Sequence, residues 1–102
     1  MMNEMDRLVS EKVSARLKEL WEMNSAALRI LPLYSEEQFD TNGKTQRLGI
    51  FRDTKSNGET LMVVQCKNTY FLGFGRMYVE GFVVDKSDQH REANEEDLWK
   101  YS

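Results

Sequence analysis

Apolar side chains recur in steps of three and four along the first third of the chain. Met5, Leu8, Val9, Val13, Leu17, Leu20, Trp21, Ala27, Leu28 and Leu31 hold this spacing. Between them lie Glu4, Arg7, Glu11, Lys12, Lys18, Glu19 and Glu22. The pattern predicts an amphipathic helix over 4–31, stopped by Pro32. Unbroken, those roughly 28 residues would span ~42 Å. A compact domain of this length has a diameter of only roughly 33 Å. The helix must therefore break, pair or overhang. Asn24-Ser25 is the natural break, because both residues favour caps and turns. It would leave a long helix over 4–23 and a short one over 25–31.

Beyond Pro32 the pattern changes. Ser35-Glu36-Glu37-Gln38 fits a capping box and predicts one short helical turn. Asp40-Thr41-Asn42-Gly43-Lys44 reads as a turn. Gln46–Arg52 and Leu61–Lys67 read as strands, joined through Asn57-Gly58, a strong hairpin signal. Lys67-Asn68-Thr69 reads as a second turn. Tyr70–Val84 is too long for one strand in so small a sheet, so a bend is expected near Gly73-Phe74-Gly75. Asp85–Asn94 is polar and reads as a loop. Asn94–Tyr101 reads as a short helix, capped by Asn94 with acids in its first turn.

These elements make one α+β domain over 1–102. The long N-terminal helix, with Asn24-Ser25 as its natural break, packs on an antiparallel sheet of three to five strands. A short C-terminal helix closes the fold with Leu98 and Trp99. A helix segregated from hairpin-linked strands favours this class over alternating α/β.

Composition narrows the function classes. The chain has 102 residues, 40% apolar and 30% charged, with a net charge of −3. That suits a folded domain rather than a disordered one. It speaks against a dedicated duplex-DNA binder, which needs a basic face. The single cysteine, Cys66, rules out an internal disulfide and fits a reducing compartment. No apolar run approaches the ~18 residues of a membrane span. Without a basic segment followed by an apolar one near Met1, the sequence predicts a cytoplasmic protein.

Candidate chemistry is sparse. Cys66 and His90 could form a nucleophile–base pair, but Cys66 lies in a strand and His90 in a polar segment. One cysteine and one histidine cannot close a zinc site. Gly73-Phe74-Gly75-Arg76 lacks the third glycine of a dinucleotide loop, and Gly43-Lys44-Thr45 lacks the rest of a phosphate loop. Asp53 and Glu80 are carboxylates whose spatial pairing a sequence does not reveal. The expectation is no catalytic set, no metal and no cofactor.

Two surfaces remain. Val9, Val13, Leu20, Met23, Ala27 and Ile30 fall in a heptad register, with Arg16 in the slot between Val13 and Leu20. This seam predicts a non-enzymatic regulatory, adaptor or inhibitor module that binds a larger protein or pairs with a second copy as a homodimer. The alternative is a single-stranded nucleic-acid binder that stacks bases on sheet aromatics, with cations holding phosphate. Its residues would be Arg47, Arg52, Lys67, Tyr70, Phe74 and Arg76, with Arg52 and Lys67 flanking one sheet face.

Overall fold

The computed structural model describes residues 3–70 and 73–102. Helix α1 spans Glu4–Trp21 and helix α2 spans Ser25–Arg29. Five strands follow: β1 (Tyr34–Thr41), β2 (Lys44–Thr54), β3 (Thr60–Thr69), β4 (Gly75–Val84) and β5 (His90–Glu92). Helix α3 (Glu95–Leu98) and a 3₁₀ turn (Trp99–Tyr101) complete the fold. The strands form one antiparallel meander in the order β1-β2-β3-β4-β5.

The expected break in the N-terminal helix is present. The Asn3 side chain accepts from the Asp6 N–H at 2.8 Å and opens α1. Asn24 adopts extended backbone and accepts from the Ala27 N–H at 2.8 Å, which opens α2. The 18-residue α1 is then ~27 Å long. The molecule measures 44 × 23 × 22 Å, so a sphere underestimates its long axis.

Strand alternation sorts the side chains onto two faces. Leu48, Ile50, Met62, Val64, Cys66, Phe82 and Val84 face α1 and meet Val9, Val13, Leu20 and Leu28 there. Leu61, Val63 and Val83 face the other way, with Phe51 and Val79 beside them. Leu98, Ala93 and Tyr101 cover part of that second face. Each fully buried Val or Leu contributes ~1.5–3 kcal/mol relative to exposure, so α1 docks chiefly through Val9, Val13 and Leu20.

Four local expectations are corrected. Ser35–Gln38 belongs to β1, not to a helical turn. Asn42 (φ 50°) and Gly43 (φ 86°) form the left-handed pair of a type I′ hairpin, which lays β1 onto β2 over eight residues. That ladder outweighs one capped turn. Lys67-Asn68-Thr69 is strand rather than turn, because Asn68 is wholly buried and hydrogen-bonded. His90–Glu92, expected as loop, pairs with Phe82–Val84. The strand pattern does divide before Gly75, but as the connection between β3 and β4 rather than a bend within one strand. The expected first strand piece reaches into 71–72, which lie outside the described residues.

The last correction concerns closure. Leu98 packs as expected, but Trp99 is 75% exposed and Tyr101 takes its place. In a 3₁₀ turn residues three apart eclipse, so Leu98 and Tyr101 share a side and Trp99 turns off it. Gly81 lets this segment approach. A Cβ there would lie 2.7 Å from the Met62 carbonyl oxygen and 2.9 Å from a Leu98 methyl. Gly81→Ala should therefore lower stability by about 1–3 kcal/mol in urea unfolding. An unchanged midpoint would show that the C-terminal segment is loosely held.

Candidate functional site

The helix seam is spent within its own chain. Val9 and Val13 are fully buried, Leu20 nearly so, and Met23 packs on the same cluster. Arg16 is half-buried and reaches β1, where Nε and Nη2 each donate to Glu37 at 3.0 Å. Ala27 is half-buried. Ile30, just past α2, is the exception at 84% exposure.

The aromatic-basic set does not converge. Arg47 and Lys67 lie on the sheet face away from α1. Arg52 lies on the opposite face from Lys67, where its Nε donates to the Leu31 carbonyl at 2.7 Å and ties β2 to the end of α2. Arg52 and Lys67 thus do not flank one face. Arg76 belongs to the α1 side of β4, close to Asp6, Tyr70 and Tyr78. Phe74 projects from the β3–β4 connection with 72% exposure.

A buried polar cluster joins α1 to the sheet where Tyr70 leaves β3. Asp6 accepts from Asn68 Nδ2 at 2.8 Å and from the Tyr70 hydroxyl. Asn68 Oδ1 accepts from Gln46 Nε2 at 3.1 Å, and Gln46 also donates to Thr41 Oγ1. Burial alone would raise the Asp6 pKa, but hydrogen bonds from Tyr70 and Asn68 hold it below the ordinary value. The bond to Asp6 pushes Tyr70 up to about 12. The Tyr78 hydroxyl is buried nearby without a hydrogen-bond partner among the described residues. Asp6, Asn68 and Gln46 are buried and spend their hydrogen bonds within the cluster, which locks α1 to the sheet. The sequence signal was faint: a polar Asn68 flanked by strand residues, with no mark of its partner more than sixty positions away.

A second cluster locks the C-terminal segment. Asp97 forms a capping box with Asn94, and its carboxylate binds Lys55 at 2.5 Å and Arg91 at 3.2 Å. Burial pushes the Asp97 pKa up, but these bonds pull it below the usual range. Asp53 binds Lys100 at 2.6 Å and accepts from the Tyr101 hydroxyl at 3.0 Å. Glu80 lies on the α1 face and accepts from Ser14. Asp53 and Glu80 therefore sit on opposite faces of the sheet and form no acid pair.

Cys66 and His90 are likewise apart in role. Cys66 is buried under α1, and burial pushes its thiol up to about 11. His90 packs edge-on against Trp21, with ring centroids 5.1 Å apart. Cys66 should thus resist thiol reagents in the folded state and react only as denaturant opens the core. Rapid labelling of native protein would contradict this burial. No group of three or more metal-ligating side chains occurs among the described residues. No helix is long and apolar enough to cross a membrane, again among the described residues.

Besides Trp99 and Phe74, the most exposed large apolar side chains lie near the start of β1. Ile30 (84% exposed), Leu33 (67%) and Tyr34 (49%) are large apolar side chains left exposed within five positions, at the corner where α2 gives way to β1. Tyr34 leans on Phe51, with ring centroids 4.8 Å apart. The corner continues into β1, an edge strand that among the described residues pairs with β2 alone. Sequence reasoning missed Leu33, Tyr34 and this edge. The available signal was Asn42-Gly43 following the alternating segment Tyr34–Thr41, the same grammar as Asn57-Gly58. A shallow apolar depression of about 500 Å³ lies beside Trp99, lined by Val79, Ala93 and Leu98. No family model matches the chain, and neither a curated protein nor a solved structure matches it.

Proposed function

We propose that this chain is a non-enzymatic protein-interaction module that binds another protein, or a second copy, through the corner formed by Ile30, Leu33 and Tyr34. The observation that carries the reading is the exposure of these three large apolar side chains at the entrance to an open sheet edge. Large apolar side chains left exposed close together along the chain, beside unpaired strand backbone, favour an association site. The seam of Val9, Val13 and Leu20 does not serve, because using it would strip α1 from the sheet. Asp53, Asp97 and Lys100 line an open cleft beside Leu61, but each is paired there with an opposite charge, an arrangement that suits tethering of the C-terminal segment.

Photo-crosslinking tests the reading. A benzophenone side chain placed at Leu33 should capture a defined protein partner in cells, and the same group at exposed Lys86 should not. Ile30→Ser should abolish the Leu33 product. Equal capture from both positions, or none from Leu33, would refute the corner as an interface.

A further inference from the structure

We infer that the free edge of β1 accepts an extended basic peptide segment as a sixth strand, with two cations four positions apart facing Glu36 and Asp40. This deepens the reading of the chain as an interaction module and rests on it.

The phase of the β1–β2 ladder fixes which backbone groups are available. The Arg52 N–H donates to the Leu33 carbonyl at 3.0 Å, which makes Leu33 and Arg52 a hydrogen-bonded pair. Such pairs alternate along an antiparallel ladder. Ser35, Glu37 and Phe39 therefore bond β2, through Ile50, Leu48 and Gln46. Tyr34, Glu36, Gln38 and Asp40 turn their N–H and C=O groups the other way. Those groups have no hydrogen-bond partner among the described residues. The register runs without a bulge, and the strand carries no proline, lysine or arginine. Bulges, proline and lysine are common devices for blunting an edge.

Charge selects the occupant. Glu36 accepts from the Tyr34 hydroxyl at 2.8 Å and Asp40 from the Thr45 hydroxyl at 3.2 Å. Neither carboxylate makes a salt bridge among the described residues. A second copy of β1 is the wrong partner. Two-fold pairing centred on Glu36 sets Glu36 against itself. Centred on Glu37 it opposes the two Glu37 side chains, and centred on Gln38 it opposes Glu36 to Asp40. Like charges directly across a ladder destabilise it. A segment with lysine or arginine facing Glu36 and Asp40 reverses that term and satisfies the open backbone groups. Strand addition of this kind draws affinity from the main chain and specificity from alternate side chains. The residue across from Tyr34 meets the Tyr34 ring, which leans on Phe51.

The probe is a fluorescein-labelled peptide of about ten residues, alternating valine and threonine with lysines four apart, against the same peptide with glutamates. The lysine peptide should raise anisotropy in a salt-sensitive way and slow amide exchange at Glu36, Gln38 and Asp40. The glutamate peptide should bind roughly tenfold or more weakly. Gln38→Pro removes an N–H that β2 does not use, so it should leave circular dichroism unchanged and weaken binding roughly tenfold. The double variant Glu36→Lys, Asp40→Lys should exchange the peptide preference. Equal binding of the two peptides, unchanged affinity in Gln38→Pro, or no new protection along β1 would overturn strand addition. So would a homodimer that already protects those three amides. If these negatives came with a surviving Leu33 crosslink, the interaction module would stand and its edge-strand mode would fall. Loss of the crosslink as well would remove both.

Discussion

Phe82→Ala should lower folding stability by about 3–5 kcal/mol, the range for removing a buried phenylalanine. Phe82 is fully buried on β4 and is the largest side chain in the cluster beneath α1. Trp21 meets it edge-on with ring centroids 5.1 Å apart, and His90 lies at 5.2 Å. Truncation would leave a void where the end of α1, β4 and β5 meet, and none of these can close it without moving another. For a domain of this length the loss corresponds to a fall in Tm of ~12–30 °C. Calorimetry measures it, and Trp21 emission should report looser packing in the native state. Phe74→Ala, at a side chain 72% exposed, should stay within about 0.5 kcal/mol. Comparable losses from both would mean that Phe82 is not the centre of the core.

Asp6→Ala should cost about 2–4 kcal/mol at neutral pH, because it leaves the Asn68 amide buried without an acceptor and removes charged hydrogen bonds. The loss should depend on pH. The folded-state pKa of Asp6 lies below its ordinary 3.8. Its contribution is therefore complete above that value and is lost as pH falls through the folded pKa. Asp53 is also held low, first by Lys100, and Asp97 follows the same direction. Wild type should thus weaken below about pH 4, as all three carboxylates take up protons. Asp6→Ala should be less stable at neutrality and show a shallower acid limb. Urea unfolding from pH 2 to 7 separates these effects. Parallel stability curves for the two proteins would mean that Asp6 carries no linked proton.

The architecture was largely legible because its signals are local. The spacing from Met5 to Leu31 marks an amphipathic helix, and Asn24 declares the break through its own capping chemistry. Asn57-Gly58 and the Asn94 cap work the same way. The misreadings share a different cause. Ser35-Glu36-Glu37-Gln38 satisfies a helix rule locally, but its fate was decided by pairing with Leu48–Ile50 across the Asn42-Gly43 hairpin. Asn68 looks like a turn residue until Asp6 and Gln46 are brought to it. Trp99 looks like a core residue until the 3₁₀ geometry turns it outward.

The site was harder to read for the same reason. A heptad stripe specifies that a helix must bury one side, not whether the cover comes from its own sheet or from another chain. Val9, Val13 and Leu20 met β3 and β4, and the association surface moved to residues with no periodicity of their own. Ile30, Leu33 and Tyr34 are left exposed close together because α2 ends just before β1 begins. Arg47 and Lys67 were separated from Arg52 and Arg76 by the parity of strand alternation, which one misplaced turn is enough to invert.

The dependence of α1 on β3 and β4 also has a consequence for synthesis. The helix leaves the ribosome first, yet its cover is not complete until β4 has emerged. Roughly sixty residues separate them, some 3–12 s at ordinary translation rates. Throughout that interval Val9, Val13 and Leu20 lack their complete sheet. The same stripe that is silent in the finished domain is, during its birth, the chain's most adhesive surface. Yield should therefore respond to codon choice and chaperone supply as well as to the stability of the folded protein.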